Sequence, residues 1–176
     1  MKKVYLRKLN LDDVSMIESE FQSRDGASEY QWFGYWNSEP LKERIVQDHF
    51  IGPQDGSLAV VLEGQTIGRV EWFSGNMWGR SNTSSCWEIA VGIFKNQRGK
   101  GYGKEAQRLL VEYLFHHYPK DRIQATTAIG NLAEQSCLTK IGFMLEGRVR
   151  HAQWRGGQWH DQLLYSILRE EWIIHQ

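Results

Sequence analysis

Residues 98–104 place three glycines and three basic side chains directly before a segment with helical apolar spacing. That spacing predicts a helix ending near Tyr118. A helix N-terminus exposes unpaired backbone N–H groups at the positive end of the helix dipole. Glycine lets this backbone approach a ligand closely, while Lys100, Lys104 and the forked guanidinium of Arg98 add positive charge. The chemistry indicated is anion binding, with phosphate as the natural anion.

Two familiar phosphate-binding loops do not fit this stretch. In a P-loop pattern, Arg98 would stand in place of the first glycine and Glu105 in place of the Ser/Thr. In a dinucleotide-binding Gly-x-Gly-x-x-Gly pattern, Lys104 or Ala106 would replace the third glycine. The chain also lacks the repeated βαβ pattern of dinucleotide-binding folds.

The elements that must position this loop follow from apolar periodicity and turn residues. We expect polar loops at 29–40 and 74–85, and a tight turn at 63–65. Asn131 is expected to cap a helix that Gly142 ends. The predicted strands are 2–10, 57–62, 66–73, 86–94 and 122–129, with a long hairpin over 143–172 turning at Gly156-Gly157; the predicted helices are 11–23, 41–50, 102–118 and 131–142.

Three segments together resemble the GNAT acetyltransferases, and the resemblance covers nearly the whole chain. Arg98-x-x-Gly101-x-Gly103 between a strand and a helix resembles the family's pyrophosphate loop, and NLAEQSCLTKIGF resembles its Asn-led helix. The segment GGQWHDQLLYSILREEW resembles the closing strand of the RimJ/RimL-like branch. The resemblance implies an α/β (α+β) GNAT fold: a single domain over 1–176 with a mixed, mostly antiparallel sheet flanked by helices.

By this resemblance, the activity is transfer of an acetyl group from acetyl-CoA to a primary amine, which attacks the thioester directly. Backbone groups of Val91 and Ile93 would bind the pantetheine arm, with a backbone N–H near Gly92 facing the thioester oxygen. Asn131 would contact the cofactor arm or an ordered water, or serve only as a helix cap. The implied cofactor-binding residues are Val91, Gly92, Ile93, Arg98, Gly99, Lys100, Gly101, Tyr102, Gly103, Lys104, Asn131 and Lys140.

The reaction requires a base for the amine and an acid for the leaving thiolate. Glu88 is the first candidate for the base, and the alternative is an exposed strand glutamate or one paired with an arginine. Glu71 on the preceding strand is the second candidate. His160 and Asp161 on the last strand form a possible proton relay, or a structural contact near the hairpin.

The acid is where the chain departs from the family pattern. Many members carry serine three residues after the motif asparagine, where this chain has Glu134. Others carry tyrosine four residues before the helix-ending glycine, where this chain has Leu138. The remaining options are a protonated Glu134, Ser136 or solvent, and Glu134 could instead be the capping-box partner of Asn131.

The loop EYQWFGYW and the hairpin are expected to wall the acceptor site. Trp32, Trp36, Trp154 and Glu71 are the predicted substrate-binding residues, and the alternative is a packed minor core. We expect a small amine such as an antibiotic, polyamine or amino sugar. A protein N-terminus is the alternative acceptor, and a non-catalytic CoA-binding module is the alternative of another class. Basic hairpin residues would meet an acidic substrate or form a solvated face: Arg148, Arg150, His151 and Arg155.

Composition limits the possible partners. The 176 residues carry 21 Lys+Arg and 21 Asp+Glu, and this zero net charge argues against nucleic-acid binding. No apolar run reaches membrane-spanning length, and no metal site is expected. Cys86 and Cys137 could form one bridge, but two thiols in a reducing compartment are the expected state. We therefore expect a cytoplasmic protein, with a homodimer possible.

Overall fold

The computed structural model describes residues 3–75, 78–79 and 84–174. Within them the chain forms seven strands and six helices, plus one 3-10 turn at Lys95–Gln97. The strands are β1 Val4–Lys8, β2 Asp55–Leu62, β3 Gln65–Ser74, β4 Trp87–Ile93, β5 Arg122–Ala128, β6 Met144–Arg155 and β7 Gln158–Leu168. The helices are α1 Leu11–Phe21, α2 Arg24–Ala27, α3 Glu39–Asp48, α4 Tyr102–His117, α5 Leu132–Ile141 and α6 Arg169–Ile174. No helix in these ranges has the length and apolar character needed to span a bilayer.

The strands form one sheet in the order β1-β2-β3-β4-β5-β7-β6. Every neighbouring pair is antiparallel except β4 and β5, so the predicted mixed, mostly antiparallel sheet is confirmed. The parallel pair is short, because only Trp87 and Glu88 of β4 have partners on β5, namely Ile123 and Gln124. Beyond this point the two strands separate, and a wedge-shaped gap opens toward their carboxyl ends.

Two apolar cores lie on opposite faces of the sheet. Along β2, Leu58 and Val60 belong to the core under α4 and α5, while Ala59 and Val61 belong to the core under α1 and α3. Side chains alternate between the faces of a strand, so β2 is apolar at every position from Leu58 to Leu62, where it serves both cores. Gly92 on β4 is required by close approach, since a Cβ there would lie 2.7 Å from the Phe21 ring of α1.

Two short helices were not predicted. Helix α2 follows α1 directly, with Ser23 as its N-cap. A single serine before four residues does not distinguish such a short helix from a loop in the sequence. Helix α6 begins where the sequence predicts a continuing strand, because the Glu171 carboxylate accepts the Leu168 N–H at 2.7 Å and so caps the first turn. The guanidinium of Arg169 anchors this end by donating to the carbonyls of Tyr118 at 2.5 Å and Lys120 at 2.7 Å.

The other predicted elements agree with the structure to within a few residues. Asn131 caps α5 and Gly142 ends it in the left-handed conformation, as predicted. The predicted loop over 74–85 lies largely outside the described residues.

Candidate active site

The gap between β4 and β5 exposes backbone hydrogen-bonding groups of β4. The Phe94 N–H donates to the Ile67 carbonyl of β3 at 2.9 Å, which fixes this pair as hydrogen-bonded. Bonded and non-bonded pairs alternate in an antiparallel ladder, so Gly92 is bonded to β3 while Val91 and Ile93 turn their N–H and C=O groups into the gap. Gly92 itself is therefore turned away from the gap, and the N–H groups that face it belong to its two neighbours.

A cavity of about 290 Å³ occupies this gap. Its walls come from β4, β5, the first turn of α5, the β6–β7 hairpin and the loop before α3. Two carboxylates line it, Glu88 on β4 and Glu134 on α5. None of the described lining residues is a lysine, arginine or histidine, so the cavity favours a cationic ligand.

Glu88 is held by two neutral donors from the neighbouring strand. Thr126 Oγ1 donates to Glu88 Oε1 at 2.6 Å, and Gln124 Nε2 donates to Glu88 Oε2 at 3.1 Å. Gln124 is fully buried, and its side chain is therefore rigidly placed. No arginine of the described residues forms an ion pair with Glu88, which was the alternative for this side chain. The carboxylate is therefore fixed at the closed end of the gap, where it lines the cavity.

Glu134 lies near the open end of the same cavity. Asn131 Oδ1 accepts the Glu134 N–H at 3.3 Å, but the Asn131 N–H donates to the Ala128 carbonyl at 2.9 Å. The capping box is therefore not closed, and the Glu134 carboxylate instead accepts from Gln107 Nε2 of α4 at 3.4 Å. Burial raises the pKa of Glu134 to about 7. Ser136 is exposed and lies outside the cavity lining.

The glycine-rich loop leads into α4 as predicted. Gly101 is the N-cap of α4 with φ 83°, and Gly99 has φ 74°, both in the left-handed region that favours glycine. Tyr102, Gly103 and Lys104 form the first turn, where N–H groups have no partner within the helix.

The basic residues of the loop divide into two groups. Arg98 Nε donates to the Ile93 carbonyl at 2.7 Å, and Arg98 Nη2 donates to the Gly26 carbonyl. The guanidinium thus ties the loop to β4 and α2 through Nε and Nη2, and its contact with a phosphate stays a prediction. Lys100 Nζ is exposed and contacts the Asn96 carbonyl at 2.8 Å. Lys104 lies with Lys140 on a groove of about 660 Å³ between α4 and α5.

The three tryptophans predicted to bind substrate do not line the cavity. Trp32 packs edge-on against Tyr35 at a centroid distance of 5.7 Å. Trp36 packs against the α1–α3 core and under the Arg69 guanidinium. Trp154 stands exposed on the hairpin beside Trp159. A high aromatic count does not reveal which way each ring of an irregular loop points, and a role of these three rings in substrate binding stays a prediction.

The loop residues that do reach the cavity are Tyr30, Gln31 and Phe33. Tyr30 Oη donates to the Gly130 carbonyl at 2.9 Å, and Gln31 Nε2 donates to the Val91 carbonyl at 2.8 Å. Arg155 of the hairpin donates to the Tyr30 carbonyl at 3.1 Å. These three bonds tie the loop across the gap between β4 and β5. No periodic signal in the sequence marked these residues.

Glu71 lines a second compartment of about 270 Å³ that adjoins the first and shares Ala90 and Val91 with it. Its Oε2 forms an ion pair with Arg69 Nη2 at 3.2 Å. An arginine partner makes Glu71 a weaker candidate for the base than Glu88, whose donors are neutral.

The predicted His160–Asp161 relay is not formed. Adjacent strand residues point to opposite faces, and His160 Nε2 lies 3.0 Å from the Arg155 carbonyl. Asp161 accepts from Arg148 Nε at 2.6 Å and from the His151 N–H at 2.7 Å. Neither side chain lines the cavity, and each bonds to other residues of the hairpin, so the described contacts include neither a His160–Asp161 relay nor a structural contact between the two side chains.

Comparison with known proteins identifies the fold and the family. The acetyltransferase (GNAT) domain model matches residues 3–144. The chain is 35% identical over 173 residues to the uncharacterized N-acetyltransferase YnaD of Bacillus subtilis, covering 97% of this chain and 96% of that protein. It is also 35% identical over 85 residues to the putative ribosomal N-acetyltransferase YdaF of the same organism, which is 48% of this chain and 46% of that protein.

Solved structures show the same fold at low identity. Spermidine N-acetyltransferase from Vibrio cholerae in complex with CoA and spermine has a TM-score of 0.79 and 20% identity, covering 97% of this chain and 98% of that one. The ribosomal L7/L12 alpha-N-protein acetyltransferase RimL in complex with coenzyme A has a TM-score of 0.77 and 13% identity, covering 96% and 95%. The resemblance that the glycine loop and the Asn-led helix suggested is thereby confirmed: the chain belongs to the GNAT family and is an N-acetyltransferase that uses acetyl-CoA.

Proposed function

We propose that this N-acetyltransferase acetylates a small cationic amine that carries a second polar group, with Glu88 as the base. The observation that supports this most directly is the fixed Glu88 carboxylate in a cavity whose described lining has no basic residue. Such a site attracts an ammonium group and offers an oxygen to take its proton.

The chain has groups that fit acetyl-CoA. The first-turn N–H groups of α4, preceded by Gly99 and Gly101 in the left-handed conformation, suit the pyrophosphate. Lys100 and Lys104 add positive charge beside it. The N–H groups that Val91 and Ile93 turn into the gap suit the carbonyl groups of an extended arm, while the carbonyls of the same two residues already accept from Gln31 and Arg98.

In the proposed reaction, the amine nitrogen forms a bond to the acetyl carbon of the thioester and the carbon–sulfur bond breaks. Glu88 accepts the proton that the ammonium group must lose. Thr126 and Gln124 keep the carboxylate oriented, so that little reorganisation is needed when the proton moves. Val91 or Ile93 supplies the N–H that faces the developing oxyanion.

The two adjoining compartments support an acceptor longer than a single amine group. In the β3–β4 register, Glu71 is opposite Ala90 and Phe73 is opposite Glu88. Glu71 and Glu88 are therefore diagonal neighbours on one face of the sheet, with Cα atoms roughly 7–8 Å apart. An acceptor with its reacting amine at Glu88 and a second polar group at the Arg69–Glu71 pair fits both. Polyamines, aminoglycosides and amino sugars belong to this class.

A protein N-terminus is the second candidate acceptor. The side chain of Phe33, which lines the cavity, is 60% exposed, so the site opens to the surface on that side. An extended polypeptide end would enter by this opening.

We also propose the cytoplasm as the compartment, because Cys86 and Cys137 both carry thiols.

An acceptor panel tests the proposal. Thiol release from acetyl-CoA would be measured with polyamines, aminoglycosides, amino sugars, free amino acids and N-terminal peptides. We expect turnover with at least one of the small polyfunctional amines. Turnover with peptides alone would replace this proposal with the second candidate. The absence of thiol release with every class of amine would contradict both.

A further inference from the structure

Neither of the two positions at which the family resemblance places a proton donor holds the usual serine or tyrosine in this chain, since one is Glu134 and the other is Leu138. Leu138 is fully buried in the core between α5 and the sheet. Ser136 is exposed and outside the cavity lining. We infer that Glu134 is the acid that protonates the departing thiolate of coenzyme A, and that Gln107 is the positioning residue that holds its carboxyl group. This inference rests on the proposed function.

The placement of Glu134 follows from the topology of the gap. β4 and β5 are parallel and paired only near Glu88, and both continue toward the open end. Helix α4 follows β4 and α5 follows β5, so the first turns of both helices lie at this open end. Glu134, in the first turn of α5, faces the cavity on the side of the glycine loop. Glu88 at the closed end would thus face the amine nitrogen, and Glu134 toward the cofactor side would face the departing sulfur.

Gln107 fixes the carboxyl group from α4. Its side chain is only 1% exposed, and such a buried amide has few rotamers available. Nε2 lies 3.4 Å from Glu134 Oε2 and 3.4 Å from the Gly103 carbonyl, so one amide links the acid to the cofactor loop. Because the amide contacts Oε2, the other carboxyl oxygen remains to carry the proton into the cavity.

The surroundings of Glu134 keep the acid form available near neutral pH. Burial is the dominant cause of its raised pKa, and the contact with Gln107 opposes it. Glu88 of β4 lines the same cavity, and Cys137 of α5 interacts with the Glu134 carboxylate. Lys104 of α4 and Lys140 of α5 interact with Cys137 and favour negative charge in this region.

The proton inventory of the step is balanced. The amine nitrogen forms the new carbon–nitrogen bond, and the carbon–sulfur bond breaks with its electron pair on sulfur. The ammonium group loses one proton to Glu88 before it attacks, and the nitrogen loses its second proton to solvent as the amide forms. The Glu134 proton passes to sulfur, which yields the thiol of coenzyme A. Glu88 then releases its proton to solvent, and Glu134 takes up a proton from solvent.

Kinetics of Glu134→Gln with the best acceptor test the inference. We expect kcat with acetyl-CoA to fall by about 100-fold with KM little changed, because general acid catalysis contributes on this order. The fall of kcat as the pH rises through about 7 should disappear. An acetyl thioester of an aromatic thiol, whose thiolate leaves without protonation, should lose much less rate. Glu43→Gln, the same change at an exposed site on α3, is the matched control.

Gln107→Leu separates positioning from catalysis. It should lower kcat less than Glu134→Gln does, and it should shift the alkaline limb of the kcat profile to higher pH, because the Gln107 contact lowers the pKa of Glu134. The shorter side chain of Gln107→Asn does not reach Glu134, so this variant should have a similarly lowered kcat. Unchanged kcat and an unchanged alkaline limb in Glu134→Gln would overturn the inference, as would a loss confined to Ser136→Ala. Either result, with wild-type turnover intact, leaves the proposed function standing; absence of wild-type turnover would refute the proposed function itself.

Discussion

Thr126 and Glu88 form a 2.6 Å hydrogen bond between β5 and β4, two residues beyond the last paired position on β5. The bond therefore spans the two strands where the gap begins to open. Because it is made to a charged oxygen, it is stronger than a bond between neutral groups. It fixes the carboxylate that we propose as the base.

Thr126→Val removes this hydroxyl with little change in shape. We expect kcat to fall by about 10-fold, since a hydrogen bond to a charged group is worth about 1.5–3 kcal/mol and Gln124 still holds the other oxygen. Thr126→Ser keeps the hydroxyl and should retain most of the rate. Steady-state kinetics with one acceptor measure both variants. A valine variant with the wild-type kcat would show that this hydrogen bond does not support catalysis.

Gly101→Asp should abolish acetyl-CoA binding while the chain remains folded. Aspartate tolerates the left-handed conformation that Gly101 adopts, but its charge would face the pyrophosphate. Gly101→Asn has nearly the same shape and no charge, so it should bind at least 10-fold more tightly than Gly101→Asp. Calorimetric titration with acetyl-CoA gives both Kd values. Wild-type affinity in the aspartate variant would move the phosphate site away from this loop.

Arg98→Met tests whether this arginine serves the fold. The change leaves the Ile93 and Gly26 carbonyls without their donor, and we expect a loss of about 1–3 kcal/mol in the free energy of unfolding. Lys100→Met, which removes an exposed cation from the same loop, should change it by less than about 0.5 kcal/mol. Urea denaturation measures both. An Arg98→Met protein of wild-type stability with weakened acetyl-CoA binding would support the predicted role in phosphate recognition.

Glu134 should make stability depend on pH. Its pKa is raised from 4.5 to about 7, so the folded state retains a proton that the unfolded chain releases. Stability is therefore lost as pH rises from about 4.5 to about 7, by about 3 kcal/mol in total. Glu134→Gln should be more stable than wild type by about this amount at pH 8, with the difference vanishing near pH 4. Urea denaturation at both pH values measures this. Equal stability at pH 8 would mean that the carboxyl group ionises normally in the fold.

Local patterns in the sequence predicted the parts of the molecule that local physics determines. Gly101 before a helical repeat, Asn131 as a cap and Gly142 as a helix end are all set by residues a few positions away. The alternating strands likewise follow from side-chain periodicity. These features account for most of the fold and for the site of the glycine loop.

The residues that complete the site depend on contacts between distant segments. Gln107, Gln124 and Thr126 act on partners 27 to 38 positions away, through the neighbour relations of β4, β5, α4 and α5. Polar residues at alternate positions of the predicted strand 122–129 were a signal for Gln124 and Thr126. For Arg98, nothing in the sequence distinguished a guanidinium facing carbonyls from one facing a ligand.

The pH dependence of kcat in wild type and Glu88→Gln, with the best amine of the acceptor panel, tests the central claim most directly. We expect Glu88→Gln to lose about 100-fold or more in kcat below the pKa of the amine, and to recover toward wild type above it, where the amine is already neutral. Calorimetry should give an unchanged Kd for acetyl-CoA. A profile in Glu88→Gln that parallels wild type at every pH would contradict the assignment of Glu88 as the base.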